Sequence, residues 1–159
     1  MPKRLLLVGA GHAHLTMIRD WSDADKKDTE WILLSPGPYH YYSGMFSGLM
    51  EGLYEKEDVR VELGPFCRRH GGSFLEGAAV KIDYRKKQVQ TDRGDILYFD
   101  AASINIGAKT AGASAGPGAH VLKPALEVPD TVERMRFAER PAVIGSGYGG
   151  VEMALSLQA

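Results

Sequence analysis

One local pattern occurs twice in this chain of 159 residues: a short apolar run, then two glycines one residue apart, then residues with helical spacing. Leu5-Leu6-Leu7-Val8 is closed by Gly9-Ala10-Gly11, and Pro141-Ala142-Val143-Ile144 by Gly145-Ser146-Gly147. A continuous apolar run suits a strand buried on both faces of a parallel sheet, and glycine directly after it permits the sharp turn from which a helix can start. The pattern therefore predicts an α/β fold, doubly wound and Rossmann-type, with the start of a second such unit near the end of the chain.

The residues between the two copies fill in this architecture. Leu15, Ile18 and Trp21, with Met17 adjacent, predict a helix from His12 to about Trp21, which the polar stretch Ser22 to Glu30 ends. Trp31-Ile32-Leu33-Leu34 is a second buried strand, which completes a βαβ unit with a right-handed crossover. Ser35 to Gly48, with two prolines, repeated glycines and several aromatics, reads as an ordered functional loop. Asp58 to His70 reads as a short helix interrupted near Gly64-Pro65 and stopped by Gly71-Gly72. From about 73 to 99 the period changes to that of a small antiparallel β-meander, with turns at Arg85-Lys86-Lys87 and at Asp92 to Asp95. Ala101 to Ile106 is a further buried run ending at Gly107, and Ala111 to Ala119 is a loop of small residues. We expect a first domain over residues 1–110, a connecting strap over 111–139 and the truncated start of a second domain over 140–159.

Composition narrows the partners. With 19 Lys+Arg against 20 Asp+Glu, both scattered, the chain offers no single-sign field, and we expect neither nucleic acid nor an anionic membrane surface as a partner. No apolar run approaches the roughly 20 residues of a membrane span, and Met1-Pro2-Lys3-Arg4 leads straight into a strand, so we expect a mature cytoplasmic protein. Cys67 is the only cysteine, which excludes an internal disulfide and a two-thiol relay within these residues; beside Phe66 it reads as a buried structural thiol.

The glycine turns carry the chemistry. Gly9 permits the turn and Gly11 lets backbone N–H groups approach a pyrophosphate, with the helix N-terminus facing the anion. That dipole is worth about 0.3 to 2 kcal/mol, so most affinity has to come from hydrogen bonds and burial. Two positions depart from the usual dinucleotide pattern: His14 stands in place of the third glycine, and Ser35, 21 residues later, stands where a carboxylate usually holds the ribose. A Gly-x-Gly alone also fits a plain structural turn. The second copy, Gly145-Ser146-Gly147-Tyr148-Gly149-Gly150 with Glu152, is a complete G-x-G-x-x-G. Two copies together point to two dinucleotides, FAD at one and a nicotinamide nucleotide at the other. His12 and His14, two apart on a helix, point to opposite sides, so we expect no metal and read them as helix-cap and pyrophosphate-side positions. Tyr39, Tyr41 and Tyr42 read as packing residues of the loop, and Arg85-Lys86-Lys87 as a solvated turn.

The segments V-G-A-G-H-A-H-L, L-S-P-G-P-Y-H-Y-Y-S-G-M, I-N-I-G-A, V-L-K-P and V-I-G-S-G-Y-G-G-V-E-M-A resemble the FAD-dependent pyridine nucleotide-disulfide oxidoreductase superfamily. Within it the chain is similar to the NADH dehydrogenase-like flavoproteins, including those fused to selenide, water dikinase. The resemblance covers the whole chain, corresponding to the N-terminal part of such proteins. It implies that Gly9, Gly11, His12, Ala13 and His14 meet the FAD pyrophosphate, that Ser35 and Pro36 lie at the adenosine ribose, and that Ser43, Gly44 and Met45 approach the flavin. It further implies that Ala79 and Val80 present backbone to the adenine, that Gly107 closes the last strand beside FAD, and that Gly145, Gly147, Gly150 and Glu152 serve NAD(P)H. No catalytic residue is assigned.

The function expected is an oxidoreductase in which NAD(P)H passes hydride to FAD, and the flavin passes electrons to a small-molecule, non-disulfide acceptor such as a quinone. The alternative is an FAD- or nucleotide-binding module without turnover. For the 159 residues alone we expect no enzymatic NADH oxidation, and either self-association through the exposed Val151, Met153, Leu155 and Leu157 or poor flavin binding. Neither the acceptor nor NADH versus NADPH is written in the residues.

Overall fold

A computed structural model describes residues 2–110 and 119–159. Of the loop expected at Ala111 to Ala119, residues 111–118 lie outside the described residues. The chain forms two compact units, the first made of Met1–His40 with Val61–Gly107 and the second of Tyr41–Arg60 with Ala108–Ala159.

The first unit is a mixed α/β structure built on β1 (Lys3–Val8), α1 (His12–Asp20), α2 (Asp23–Lys26) and β2 (Thr29–Ser35). β3 (Tyr39–Tyr41) pairs with β4 (Arg60–Glu62), and α4 (Leu63–Arg69) and β5 (Ser73–Glu76) follow; α3 (Phe46–Glu51) belongs to the second unit. Next come β6 (Ala79–Asp83), β7 (Gln88–Thr91), β8 (Ile96–Tyr98) and β9 (Ala101–Ile104). The parallel sheet has the order β5-β2-β1-β9, with Val8 level with Leu34 and Ile104. Successive side chains of a strand leave on opposite faces, so the apolar runs at 5–8 and 31–34 feed two cores. Leu7, Trp31 and Leu33 pack with Leu15 and Ile18 of α1 and with Leu63 and Cys67 of α4. Leu6, Val8 and Leu34 pack on the other face with Val89 and Phe99 from the antiparallel β6-β7-β8 sheet. Burial on both faces is why these strands read as unbroken apolar runs. This Rossmann-type arrangement is the fold class expected.

Three expectations for this unit are corrected. The meander spans 79–98 and not 73–99: Ser73–Glu76 joins the parallel sheet, with Leu34 opposite Leu75 and Ser35 opposite Glu76. Strand direction is set by long-range pairing, and four residues of β-type sequence carry no sign of it. Gly64-Pro65 does not interrupt a helix; it lies in the first turn of α4, where a missing N–H breaks no intrahelical bond. The run at Ala101 to Ile106 is exposed, Ile104 at 56% and Ile106 at 72%, because β9 is an edge strand and both cores draw on β1 and β2 instead.

In the second unit α3 (Phe46–Glu51), α5 (Val128–Arg136) and α6 (Tyr148–Ser156) pack together, burying Phe46, Leu49 and Met50 with Val128, Val132 and Met153. The Ser156 hydroxyl donates to Glu51 Oε1 at 2.9 Å, and Lys56 pairs with Asp130. Gly52, at φ +81°, ends α3 in the left-handed conformation that glycine adopts without strain. The strap thus contains a helix, whose signal was the four-residue spacing of Val128 and Val132. The strand expected at Pro141 to Ile144 is not formed, and Ile144 is 85% exposed: a strand exists only by pairing, and no partner strand lies beside these residues among those described. Met153, expected to be exposed, is buried, while Val151 and Leu155 are exposed as expected.

Candidate functional site, a glycine turn at the carboxyl ends of the parallel strands

β1, β2 and β9 end level with one another, and the chain leaves β1 through Gly9, at φ +89°, directly into α1. In open parallel sheets this carboxyl edge is where ligands bind, because the helix N-termini converge there. A surface cleft of about 920 Å³ lined by Lys3, Arg4, Thr29, Glu30 and Ala101 lies at the opposite ends of the same strands, away from the helix N-terminus.

The turn is held by a small set of bonds. The Gly9 N–H donates to the Leu34 carbonyl at 2.7 Å and the Gly11 N–H to the Asn105 carbonyl at 3.1 Å. A Cβ on Gly9 would lie 2.3 Å from the Asn105 carbonyl oxygen, and one on Gly11 would lie 2.0 Å from Asn105 Oδ1, so both glycines are demanded by the close approach of the segment after β9. With the Gly11 N–H engaged by Asn105, the donors for an anion come from the first turn of α1 at His12 and Ala13, for which helix geometry provides no intrahelical acceptor.

His12 and His14 do leave opposite sides of the helix. His12 is exposed, as is Ala13. His14 is buried, with Nδ1 2.7 Å from the Gly9 carbonyl and Nε2 2.9 Å from Ser103 Oγ. A carbonyl only accepts, so Nδ1 carries the proton, and in the neutral ring Nε2 accepts from the Ser103 hydroxyl. The second turn makes the corresponding contact without a side chain: a Cβ on Gly150 would lie 2.3 Å from the Gly145 carbonyl oxygen. His14 and Gly150 occupy equivalent steps after their first glycines, and each closes its turn on that glycine's carbonyl.

Ser35 ends β2, buried, and its carbonyl accepts the Gly77 N–H at 2.9 Å, while Pro36 is exposed. Ala79, half-buried, begins β6, and Val80 is 60% exposed. Gly107, at φ +76°, follows β9 with no atom within 4 Å of a would-be Cβ. The first unit therefore gathers Gly9 to His14, Ser35, Pro36 and Gly107 at one edge of its sheet, with Ala79 and Val80 two and three residues beyond the Gly77 contact. Ser43–Met45 form a 3-10 turn in the second unit, with Ser43 and Gly44 exposed. Gly145, Gly147, Gly150 and Glu152 also belong to that unit, where Gly147 precedes α6 with open space around it.

Two residues at the turn escaped the sequence reading. Asn105 was visible as part of a strand-like run and of the I-N-I-G-A segment but was given no role, yet its backbone bonds both Val8 and Gly11. His40 was passed over among the tyrosines of its loop; its ring lies near His12 and the Ala10 backbone, and its Nε2 is buried without a partner. Burial, then the neighbouring His12, push its pKa below the ordinary value. Cys67, on α4, is fully buried and its thiol is pushed up to about 11, chiefly by desolvation.

Residues 2–159 match the family of the pyridine nucleotide-disulphide oxidoreductases. The chain belongs to that family. Among curated relatives of this chain, the assimilatory nitrate reductase electron transfer subunit of Bacillus subtilis is 24% identical over 98% of this chain and 21% of its own length. A type II NADH:quinone oxidoreductase of Staphylococcus epidermidis is 27% identical over 66% of this chain and 26% of its own length. The chain thus spans about a fifth to a quarter of these relatives. The structure of a water-forming NADH oxidase from Lactobacillus brevis, bound to NADH, superposes with a TM-score of 0.82 over 98% of this chain and 37% of that one, at 17% identity, a likeness of fold. Among the described residues no helix is long and apolar enough to cross a membrane.

Proposed function

We propose that this chain is part of a flavin-dependent NAD(P)H oxidoreductase, with FAD seated on the first glycine turn and NAD(P)H on the second, acting in the cytoplasm on a small, non-disulfide acceptor such as a quinone. The observation that carries this reading is the paired construction of the two turns: each has a left-handed first glycine, a second glycine before the helix and a third position closed on the first glycine's carbonyl. The names of the relatives, an electron transfer subunit and a NADH:quinone oxidoreductase, support the choice of chemistry.

The residues at the first turn fit a dinucleotide: the first-turn N–H groups of α1 have no intrahelical acceptor, Gly107 leaves open space, and the Nε2 of His40 is buried without a partner. His12 and Ala13 would offer backbone N–H groups to the pyrophosphate, Ser35 a hydroxyl at the adenosine ribose, Ala79 and Val80 backbone at the adenine, and Ser43 to Met45 contact with the flavin. Bound FAD would supply a site that accepts a hydride and releases electrons singly or in pairs. The protein's part is to hold that group and to offer Gly145, Gly147, Gly150 and Glu152 to the nicotinamide nucleotide. Cys67 takes no part: its thiolate is suppressed and the residue is buried on α4.

Titration of the protein with FAD, followed by quenching of flavin fluorescence, tests the first site. Saturable binding that ADP-ribose competes away is expected; tighter binding of NADH than of FAD at that site would reverse the assignment.

A further inference from the structure

Resting on that reading of the first turn, we infer that Glu76 supplies the carboxylate that holds the adenosine ribose of the dinucleotide: the group ordinarily found at the end of the second strand stands here one strand further across the sheet.

The sheet supplies the reason. In dinucleotide-binding folds a carboxylate at the end of the strand after the glycine turn accepts hydrogen bonds from the ribose hydroxyls, and Ser35 stands there in this chain. A serine carries no charge, and Ser35 is only 7% exposed, so by itself it offers a ribose little. Among the described residues the four strands of the parallel sheet end in Val8, Ser35, Glu76 and Ile104, and of these Glu76 is the carboxylate. It lies beside Ser35. The two are partners in the β2–β5 register, where neighbouring strands run about 4.8 Å apart, and the Gly77 N–H bonds the Ser35 carbonyl at 2.9 Å. Leu33 and Phe74, one step of the alternation earlier, pack in the core beneath α1, so Ser35 and Glu76 leave the sheet on the face of the helix that the glycine turn starts.

The carboxylate is held and still accessible. Arg93, in the turn between β7 and β8, donates from Nη2 to Glu76 Oε1 at 2.6 Å. Two further bonds fasten that turn to the segment after β5: the Ala78 N–H donates to Asp92 Oδ1 at 2.8 Å, and the Asp92 N–H to the Ala78 carbonyl at 2.9 Å. The Glu76 side chain nevertheless remains 38% exposed. A carboxylate has about four acceptor positions, so the one that Arg93 occupies leaves Oε2 for the ribose hydroxyls. Arg93 also offsets the negative charge that Glu76 would otherwise present to a pyrophosphate. The same segment leads on to Ala79 and Val80, the residues proposed at the adenine, so ribose and base would be met in chain order.

Displacement of bound FAD by ADP and by 2′-deoxy-ADP, read from the recovery of flavin fluorescence, tests the inference. Wild type is expected to prefer ADP by about tenfold, the size of a lost hydrogen bond to a charged group. Glu76→Gln keeps the shape and removes the charge; its affinity for ADP should fall about tenfold, and the preference over 2′-deoxy-ADP should largely vanish. Arg93→Met breaks the same ion pair but keeps the carboxylate, and is expected to retain the preference, which a merely structural ion pair would not predict. FAD bound by wild type but displaced equally by the two nucleotides would overturn the inference and leave the site assignment in place. So would a preference that survives Glu76→Gln, or one lost in Arg93→Met as fully as in Glu76→Gln. Absence of FAD binding by wild type would overturn the site assignment and the inference with it. The wild-type comparison needs no variant, so a misfolded Glu76→Gln leaves the inference open to refutation.

Discussion

The Nδ1–H of His14 donates to the carbonyl of Gly9 at 2.7 Å, and this bond ties the first turn of α1 to the end of β1. In the second turn Gly150 reaches the Gly145 carbonyl by having no side chain at all. A histidine thus replaces the third glycine because its ring can satisfy the carbonyl that a smaller side chain would only crowd. Ser103, on the neighbouring β9, fixes the ring from its other nitrogen.

His14→Ala removes both bonds and opens a cavity in the core, and should cost about 2–4 kcal/mol. Ser103→Ala, which removes one partner, should cost about 1 kcal/mol. Urea unfolding of both variants and the double variant checks this: the two losses should be less than additive, since the bond is shared.

Gly11→Val places side-chain atoms where Asn105 already packs, so the turn that positions the first-turn N–H groups has to shift. FAD affinity should fall by about a hundredfold or more, comparable to losing several charge-assisted hydrogen bonds. Equilibrium dialysis against FAD reads this directly, and unaltered affinity would refute the role given to Gly11.

The second turn separates packing from binding. Nothing lies within 4 Å of a Cβ on Gly147, whereas one on Gly150 meets a backbone oxygen. Gly147→Ala should change stability by no more than about 1 kcal/mol, the range of a helix-cap exchange, and yet weaken NADH binding. Gly150→Ala should lower the urea midpoint, because backbone must shift.

His40 should make the ligand-free protein acid-sensitive. Its folded-state pKa lies below the ordinary 6.5, so the unfolded chain binds the proton more readily, and stability is lost as pH falls below about 6.5. Urea midpoints measured from pH 7.5 to 5 should decline in wild type, and the decline should be smaller in His40→Gln.

Cys67 should be inert in the folded protein. Its thiol is raised from 9.0 to about 11, which lowers the thiolate fraction near pH 8 about a hundredfold before burial is considered. Alkylation followed by mass spectrometry should therefore be at least a hundredfold slower than in urea.

The first strand, the glycine turn and the helix after it were legible from residues 5–21 because each is a local property: continuous apolar residues for a strand covered on both faces, glycine for a left-handed φ, three- and four-residue spacing for a helix. α6 was legible for the same reason. What the residues by themselves did not determine is everything that depends on a partner far along the chain. Ser73–Glu76 became a parallel strand only by lying beside β2, Pro141 to Ile144 stayed out of any sheet for want of a neighbour, and Ala101 to Ile106 was left exposed as an edge. The site divides the same way. Gly9, Gly11 and the helix start are written in six consecutive residues, whereas Asn105, Ser103 and His40 meet them only after the sheet has formed. Contacts between residues this far apart along the chain leave no periodicity in the sequence, and only the folded chain brings them to the turn.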